Sequence, residues 1–227
     1  MRQPQSTLKT LSRKTKVIGV EPEGAASLTH AKKIGHPVKL DGIDKFIDGA
    51  AVQQMGDLTF DYCNEFLDDV ITVPEGAVCT TILELYNRDA IVVEPAGALA
   101  LTGLKFFNLE PNSNVVVVTS GSNNDITRME EIKERSMLNE GLKHYFLVSF
   151  PQRAGALKAF VNEVLGPEDD ITFFEYVKKH NRESGPVKIG ITLANRNLLP
   201  QLRSRMDHLG FRHVYMNEQP ENLTYFM

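Results

Sequence analysis

Apolar residues follow two different periodicities in the first half of the chain. Short runs rich in β-branched residues predict strands at residues 16–20, 70–73, 90–93 and 115–118. Between them, apolar residues at helical spacing predict helices at residues 6–15, 25–34, 57–66, 78–86 and 98–107. Strands that alternate with helices in this way are typical of a parallel sheet covered on both faces.

The four consecutive valines at residues 115–118 are the most distinctive of these predicted strands. A strand that is apolar on both faces is typical of the interior of a parallel sheet. Small polar residues at 119–124 then turn the chain sharply. Ligands of open α/β sheets bind beyond the carboxyl ends of the strands, so this turn is a candidate ligand site. An ordinary strand-to-helix turn would use the same residue types.

The pattern changes after residue 125, where a charged helix at 128–139 leads into a second patterned region. Alternating apolar positions predict strands at 144–150, 171–178, 187–193 and 211–215. Helical spacing predicts two helices, at 157–165 and 198–209, and a polar turn is predicted at 179–186. The resulting order, βαββαβ, is that of the ferredoxin-like split motif.

Composition narrows the classes of function. The net charge of −4 and the pI near 5.9 give no electrostatic reason to expect nucleic acid or an anionic membrane as a partner. No apolar run is long enough to span a bilayer, and the basic start lacks the apolar core of a signal peptide. Cys63 and Cys79 lie within apolar helical patterns, which predicts reduced core thiols in a cytoplasmic protein. The six histidines have no metal-ligand spacing, so no metal site is predicted.

Several sequence blocks together resemble one enzyme family. They are KTKVIGVEPEGA at 14–25, DGAAV at 48–52, GDLTF at 56–60, EPAGALA at 94–100 and Ser120-Gly121. In this order and spacing they resemble the threonine dehydratases (threonine ammonia-lyases), which are fold-type II, tryptophan synthase β-like enzymes dependent on pyridoxal phosphate. The region from residue 144 onward is similar to the ACT-like regulatory domain of the same family, with GAL at 155–157 and FEY at 174–176.

The resemblance implies a fold and a domain organisation. Residues 1–128 would form the C-terminal part of a pyridoxal-phosphate-dependent catalytic domain, 129–143 a connecting helix, and 144–227 a ferredoxin-like ACT-like domain. The fold class is therefore expected to be α/β. Apolar surfaces left uncovered on the partial first domain predict that this domain is poorly stable or oligomeric by itself, and a homo-oligomer is expected.

The resemblance also implies which residues contact the cofactor. Ser120 matches the residue that faces the pyridine nitrogen, and a hydroxyl there donates a hydrogen bond without keeping the ring protonated as a carboxylate would. Gly121, Gly49 and Ala50 match backbone close to the cofactor, and Glu94 matches an acidic position at the pocket floor. Turn glycines and a carboxylate at a helix N-terminus are equally ordinary structural features. At Ser122 the chain departs from the glycine or alanine usual in the family.

In that family the reaction converts L-threonine to 2-oxobutanoate and ammonia, at the entry to isoleucine biosynthesis. The catalytic Schiff-base lysine and the glycine-rich phosphate loop have no match in these 227 residues, since no glycine occurs before Gly19. We therefore expect the chain to be an N-terminally truncated form, inactive by itself. Two alternatives stay open: a non-catalytic amino-acid-binding or oligomerising ACT-like module, and a separately encoded segment that completes the site in trans.

For the regulatory half, the resemblance implies feedback by isoleucine, or in some members valine. Leu157, Phe160 and Tyr176 match the segments that contact the effector. Leu157 and Phe160 are equally good candidates for the hydrophobic core, and the core is the favoured interpretation for both. A phenol beside an apolar pocket can meet the polar end of an amino acid, which makes Tyr176 the stronger candidate.

Overall fold

A computed structural model describes residues 4–177 and 183–219 of the chain. The chain divides into two compact units, Met1–Ser136 and Met137–Met227. Part of the polar turn predicted at 179–186, the end of the strand predicted at 171–178 and the last eight residues lie outside the described residues.

The first unit is built mainly of helices around a short parallel sheet. The helices are α1 (Pro4–Leu11), α2 (Ser27–Ile34), α3 (Asp57–Phe66), α4 (Glu75–Asp89), α5 (Pro95–Gly103) and α6 (Met129–Asn139), of which α6 ends in the second unit. The strands β1 (Ile18–Pro22) and β2 (Asp69–Val73) pair in parallel. Three 3₁₀ turns complete the unit, at Glu23–Ala25, Asp48–Ala50 and Ile126–Arg128.

Local sequence signals explain several of these boundaries. Gly35, with φ of +92°, ends α2 because a left-handed residue stops the helix at no steric cost to glycine. Pro95 occupies the first turn of α5, where its missing N–H is not needed. The core of the unit joins residues from α4, α5, α6 and the 42–47 loop, among them Phe46, Cys79, Leu99 and Ile132.

Two strands predicted from the sequence, at 90–93 and 115–118, are not formed. Residues 115–118 are irregular, and Val116 and Val118 are 90% and 74% exposed. A central parallel strand needs a partner on each edge, and the described part of this unit contains only β1 and β2, which pair with each other. The prediction of a buried strand at 115–118 is therefore wrong for this chain, whereas β1 and β2 confirm the predicted strands at 16–20 and 70–73 to within two residues at each end.

The second unit has the predicted βαββαβ order. Its elements are β3 (Lys143–Pro151), α7 (Ala156–Ala159) continued by a π-helical turn (Phe160–Val164), β4 (Asp170–Tyr176), β5 (Ser184–Thr192), α8 (Leu199–His208) and β6 (His213–Tyr215). The sheet is antiparallel in the order β4-β5-β3-β6. One face packs against the helices through a core that includes Phe146, Phe150, Phe160, Ile189 and Leu202. The ferredoxin-like prediction is confirmed.

Both cysteines are free thiols buried in the first unit, as predicted. Burial raises the pKa of Cys79 to about 12, which keeps this thiol protonated and unreactive at neutral pH. Across residues 4–177 and 183–219, no helix combines the length and the apolar character that a membrane crossing needs.

A buried histidine joins β3 to β6 in the second unit. The His144 ring lies 2.9 Å from the Tyr215 hydroxyl through Nδ1 and 3.0 Å from the Gly141 carbonyl oxygen through Nε2. A neutral ring satisfies both contacts when Nε2–H donates to the carbonyl and Nδ1 accepts from the phenol. Burial lowers the pKa of His144.

This lowered pKa makes the stability of the fold depend on pH. The unfolded chain binds the proton more readily, so stability is complete above the ordinary value of 6.5 and falls as the pH drops below it. Each unit of pKa difference corresponds to about 1.4 kcal/mol. Urea unfolding between about pH 8 and pH 5 measures this loss, and His144→Gln is expected to flatten the profile. His208→Gln, at an exposed position in the same unit, is the control and should retain the wild-type profile.

Candidate functional site

Three backbone segments meet at the N-terminus of α5. A Cβ atom on Gly97 would collide with the carbonyl oxygen of Ser120, and one on Gly49 would lie 2.8 Å from Cβ of Ala96. Neither position has room for a side chain, so glycine is required for these segments to approach so closely. The 3₁₀ turn Asp48–Ala50, the first turn of α5 and the turn at 120–121 are thereby brought together.

Glu94 links two of these segments. Its backbone N–H donates to the carbonyl oxygen of Gly121 at 3.1 Å, and its own carbonyl oxygen accepts from the N–H of Ala98 to begin α5. The carboxylate lies against Gly121, where an added Cβ would collide with Glu94 Cδ. Gly121 has φ of +76°, a left-handed conformation that further favours glycine. The left-handed backbone and the adjacent carboxylate therefore both require glycine at position 121.

Four of the five cofactor-contact candidates are gathered here: Gly49, Glu94, Ser120 and Gly121. Ser120 is exposed, and its hydroxyl has no protein hydrogen-bond partner within the described residues. The fifth candidate, Ala50, is half-buried and packs against the hydrophobic core of the unit. Its N–H donates to the Ile47 carbonyl oxygen at 2.9 Å, which closes the 3₁₀ turn.

The groups at this site fit the edge of a flat heteroaromatic ring. Ser120 supplies an uncommitted hydroxyl, and Gly49 and Gly121 let the protein segments approach one another closely beside it. Asn124, four residues further on, has a buried side-chain oxygen without a hydrogen-bond partner in the described part of the chain. A free hydroxyl and an amide oxygen of this kind fit the polar edge of a heteroaromatic ring such as the pyridine ring of pyridoxal phosphate.

Sequence reasoning missed two features of this region. Gly97 and Ala96 belong to the block that carries the resemblance, yet their role as the surface on which the other segments rest follows only from the geometry. The second feature is Phe46, whose ring is contacted by the guanidinium groups of Arg128 and Arg135. No local pattern predicts this contact, because the residues involved are more than eighty positions apart.

The effector candidates of the second unit divide between a groove and the core. A groove of about 540 Å³ is lined by Tyr176, Leu157, Phe150 and Phe174, together with the basic residues Arg153 and Lys158. Leu157 is 43% exposed, so the favoured interpretation of this residue as part of the core is wrong. Phe160 is fully buried and packs on Phe150 and Phe211, both with ring centroids 5.2 Å away, and it does not line the groove.

Two family models match the chain. The pyridoxal-phosphate dependent enzyme model covers residues 6–121, which include Gly49, Glu94, Gly97, Ser120 and Gly121. The model of the C-terminal regulatory domain of threonine dehydratase covers residues 134–226, which include the groove. The matches follow one another along the chain as the two units do.

Curated relatives are similar over almost the whole chain. The biosynthetic L-threonine dehydratase of Halalkalibacterium halodurans is 52% identical over 219 residues, which are 95% of this chain and 53% of that protein. The corresponding enzyme of Bacillus subtilis is 54% identical over 215 residues, which are 94% of this chain and 51% of that protein. The chain thus spans about half the length of the curated relatives it matches.

Solved structures agree with the fold. The processed form of threonine deaminase isoform 2 from Solanum lycopersicum superposes with a TM-score of 0.55 at 35% identity, over 59% of this chain and 38% of that one. A fungal L-serine ammonia-lyase from Rhizomucor miehei shares the fold, with a TM-score of 0.50 at 17% identity over 58% of this chain and 45% of that one. The chain therefore belongs to the pyridoxal-phosphate dependent enzyme family, and the segment that matches this family is followed by a threonine dehydratase regulatory domain.

Proposed function

We propose that this chain is the C-terminal portion of an L-threonine dehydratase, which converts L-threonine to 2-oxobutanoate and ammonia in isoleucine biosynthesis. One observation carries the proposal: Gly49, Glu94, Ser120 and Gly121, which are far apart in the sequence, meet at the N-terminus of α5. The names of relatives more than 50% identical to the chain support the same activity.

The residues at α5 have distinct roles in this proposal. The Ser120 hydroxyl would donate a hydrogen bond to the pyridine nitrogen of pyridoxal phosphate and, being neutral, would not hold that nitrogen protonated. Bound pyridoxal phosphate withdraws electrons from the α-carbon of the amino-acid substrate. Glu94 keeps the turn that carries Ser120 against α5 through its backbone N–H, and Gly49 lets the 48–50 turn approach the same place.

By itself, the purified 227-residue polypeptide is expected not to dehydrate L-threonine. Covalent attachment of pyridoxal phosphate needs a lysine, and its phosphate needs a glycine-rich loop at a helix N-terminus. No segment here matches either feature of the family, and α1 contains no glycine. A second polypeptide that carries both is expected to restore the site. The uncovered valines at 115–118 provide apolar surface that such a polypeptide would bury.

The second unit would bind isoleucine as a feedback effector. Its groove offers apolar walls from Phe150, Leu157 and Phe174 to a branched side chain. Arg153 and Lys158 on the same groove offer positive charge to the carboxylate, and Tyr176 offers a phenol to either end of the ligand. A homo-oligomeric assembly and a cytoplasmic location complete the proposal, the latter supported by the two free thiols.

Complementation in trans tests the catalytic proposal. The 227-residue chain is mixed with a polypeptide that carries the first half of the Bacillus subtilis relative, pyridoxal phosphate and L-threonine, and 2-oxobutanoate is measured. We expect no product from either polypeptide alone, product from the mixture, and inhibition of the mixture by isoleucine. Turnover by the 227-residue chain alone would contradict the expected inactivity. A stable complex without turnover would contradict the catalytic proposal.

The main rival is a non-catalytic amino-acid-binding module. One observation favours it: every residue that lines the groove lies in the second unit, so effector binding needs nothing from the site at α5. The same experiment separates the two functions. Isoleucine binding together with an inactive complex supports the rival, whereas an active and isoleucine-sensitive complex excludes it.

A further inference from the structure

The loop that leads to Gly49 is held by the helix that leads to the regulatory domain. Phe46 is buried, and its ring centroid lies 4.9 Å from Cζ of Arg128 and 4.2 Å from Cζ of Arg135. Arg128 precedes α6 by one residue and Arg135 lies on α6. Two cations on one aromatic ring, in a partly buried setting, give a contact that is stronger and more specific in direction than apolar packing alone. We call Phe46, Arg128 and Arg135 the clamp.

Hydrogen bonds fix the geometry of the clamp. Nη2 of Arg128 donates to the carbonyl oxygen of Phe46 at 2.7 Å. Arg135 donates through Nε to Glu131 at 2.9 Å and through Nη1 to Asp44 at 3.2 Å. Asp44 in turn accepts from the N–H of Phe46 at 2.8 Å. Both backbone polar groups of Phe46, its N–H and its carbonyl oxygen, are therefore hydrogen-bonded within this cluster.

The clamp is continuous with the candidate cofactor site. Ile47, which follows Phe46, is 1% exposed in the core, and its carbonyl oxygen accepts from the N–H of Ala50. Only Ile47 separates Phe46 from the Asp48–Ala50 turn, which carries Gly49 to the first turn of α5. The connection between the Phe46 backbone and Gly49 is therefore short and is closed by a hydrogen bond.

At its other end α6 enters the second unit. It runs to Asn139. The strand β3, whose residue Phe150 lines the groove, begins four residues later at Lys143. Within the first unit α6 is further held by Ile132, which is fully buried, and by a hydrogen bond of 2.9 Å between Ser136 and Thr80. The same helix therefore begins directly after Arg128, carries Arg135, is packed into the first unit, and leads into the first strand of the second unit.

From these contacts we infer that Arg128 and Arg135 are positioning residues that couple the effector state of the second unit to the Gly49–Ala50 segment through Phe46. The inference rests on the proposed binding of isoleucine and extends it to a route of regulation. It requires that the loop and α6 respond to isoleucine together, and that the response depends on the planar guanidinium groups. Lysine in their place keeps the charge but loses the stacking geometry and the fork of donors.

Hydrogen–deuterium exchange of the full 227-residue chain, with and without isoleucine, tests the inference. The amides of residues 46, 50 and 52 are hydrogen-bonded and suited to the measurement. In the wild-type chain we expect isoleucine to change the exchange of residues 46–52 by about fivefold, at the lower end of ordinary coupling between sites. In the Arg128→Lys/Arg135→Lys variant the groove should still be protected by isoleucine, while the response of residues 46–52 should largely vanish.

The controls separate failure of this inference from failure of the proposed function. Lys133→Arg changes an exposed cation on α6 and should leave the wild-type response intact. Protection of the groove without any response at 46–52 in the wild-type chain overturns the inference, as does a response that survives in the double variant. If the double variant does not fold, Arg135→Lys alone serves in its place. An absence of any protection by isoleucine overturns the proposed effector, and the inference with it.

Discussion

Substitution of Gly97 by alanine is expected to separate the 120–121 turn from α5. The new Cβ would collide with the carbonyl oxygen of Ser120. No rotamer change can relieve the collision, because the backbone fixes the position of Cβ and the oxygen is itself a backbone atom. The turn must therefore shift, which breaks the hydrogen bond between Glu94 N–H and Gly121. Overpacking of this kind costs about 1–3 kcal/mol, and displacement of Ser120 by an ångström lowers turnover of the complemented enzyme by about 100-fold.

Two measurements test the Gly97→Ala prediction. In the chain by itself, the amide of Glu94 should exchange its hydrogen much faster than in the wild type, since its acceptor has moved. In the complemented mixture, the rate of 2-oxobutanoate formation should fall. Gly42→Ala is the matched control, because a Cβ at that position meets no atom within 4 Å. An unchanged Glu94 amide in Gly97→Ala would show that the close approach is not a property of the folded chain.

The second unit was predictable from sequence because each of its elements has its own local signal. Strict alternation in β3 and β5 places Phe146, Val148, Ile189 and Ile191 on the core face, and this alternation sets the register of the antiparallel pair. The order of elements then leaves the split βαββαβ sheet as the natural arrangement. Local patterns and tertiary structure agree in this unit.

The irregular structure of the four valines at 115–118 was not predictable, because local sequence carries only part of the information that decides whether a strand forms. Four β-branched residues indicate strand propensity, yet a parallel strand is stabilised by neighbours that come from distant parts of the chain. The described residues offer β1 and β2, which pair with each other, and Val116 stays 90% exposed. Strand propensity describes the conformation that a segment favours locally, and the availability of neighbouring strands decides whether a strand forms.

The site was predictable in its residues but not in its contacts. Resemblance to a family selected Gly49, Glu94, Ser120 and Gly121, and the fold brings them together. Nothing in the sequence distinguishes Gly97, which must lack a side chain because a backbone oxygen occupies that space, from a glycine that is merely tolerated. Such a requirement depends on the distance between segments, which no local pattern encodes.

The different positions of Leu157 and Phe160 have a similar explanation. Regular helical spacing predicts one shared face for residues 157, 160, 161, 164 and 165. In the structure the helix widens into a π-helical turn at Phe160–Val164. The buried face then follows Ala156, Phe160 and Val164 at fourfold spacing, and Leu157 and Val161 are left at the surface, each 43% exposed. A change of helical type inside an element alters the face without altering the composition.

Alanine substitutions at these two positions are therefore expected to affect different properties. Phe160→Ala should lower the stability of the second unit, whereas Leu157→Ala should weaken effector binding. Phe160→Ala removes a fully buried ring that packs on Phe150 and Phe211, which costs about 3–5 kcal/mol. For a unit of this size, that loss lowers the melting temperature by about 15 °C or more. Leu157→Ala removes a partly exposed side chain at the groove, so stability should change by about 0.5 kcal/mol or less.

Thermal unfolding of the full chain, with and without saturating isoleucine, separates the two roles. Isoleucine should raise the melting temperature of the wild-type chain, because a ligand that binds only the folded state stabilises it. Leu157→Ala should keep the melting temperature of the free chain and lose most of the isoleucine shift, since the groove has lost an apolar wall. Val214→Ala changes a side chain that is 45% exposed and does not line this groove, so this variant should retain the full shift.

Two outcomes would contradict these assignments. If Leu157→Ala responds to isoleucine as Val214→Ala does, the groove is not the effector site. If Phe160→Ala melts at the wild-type temperature, the aromatic cluster around Phe150 does not hold the second unit together.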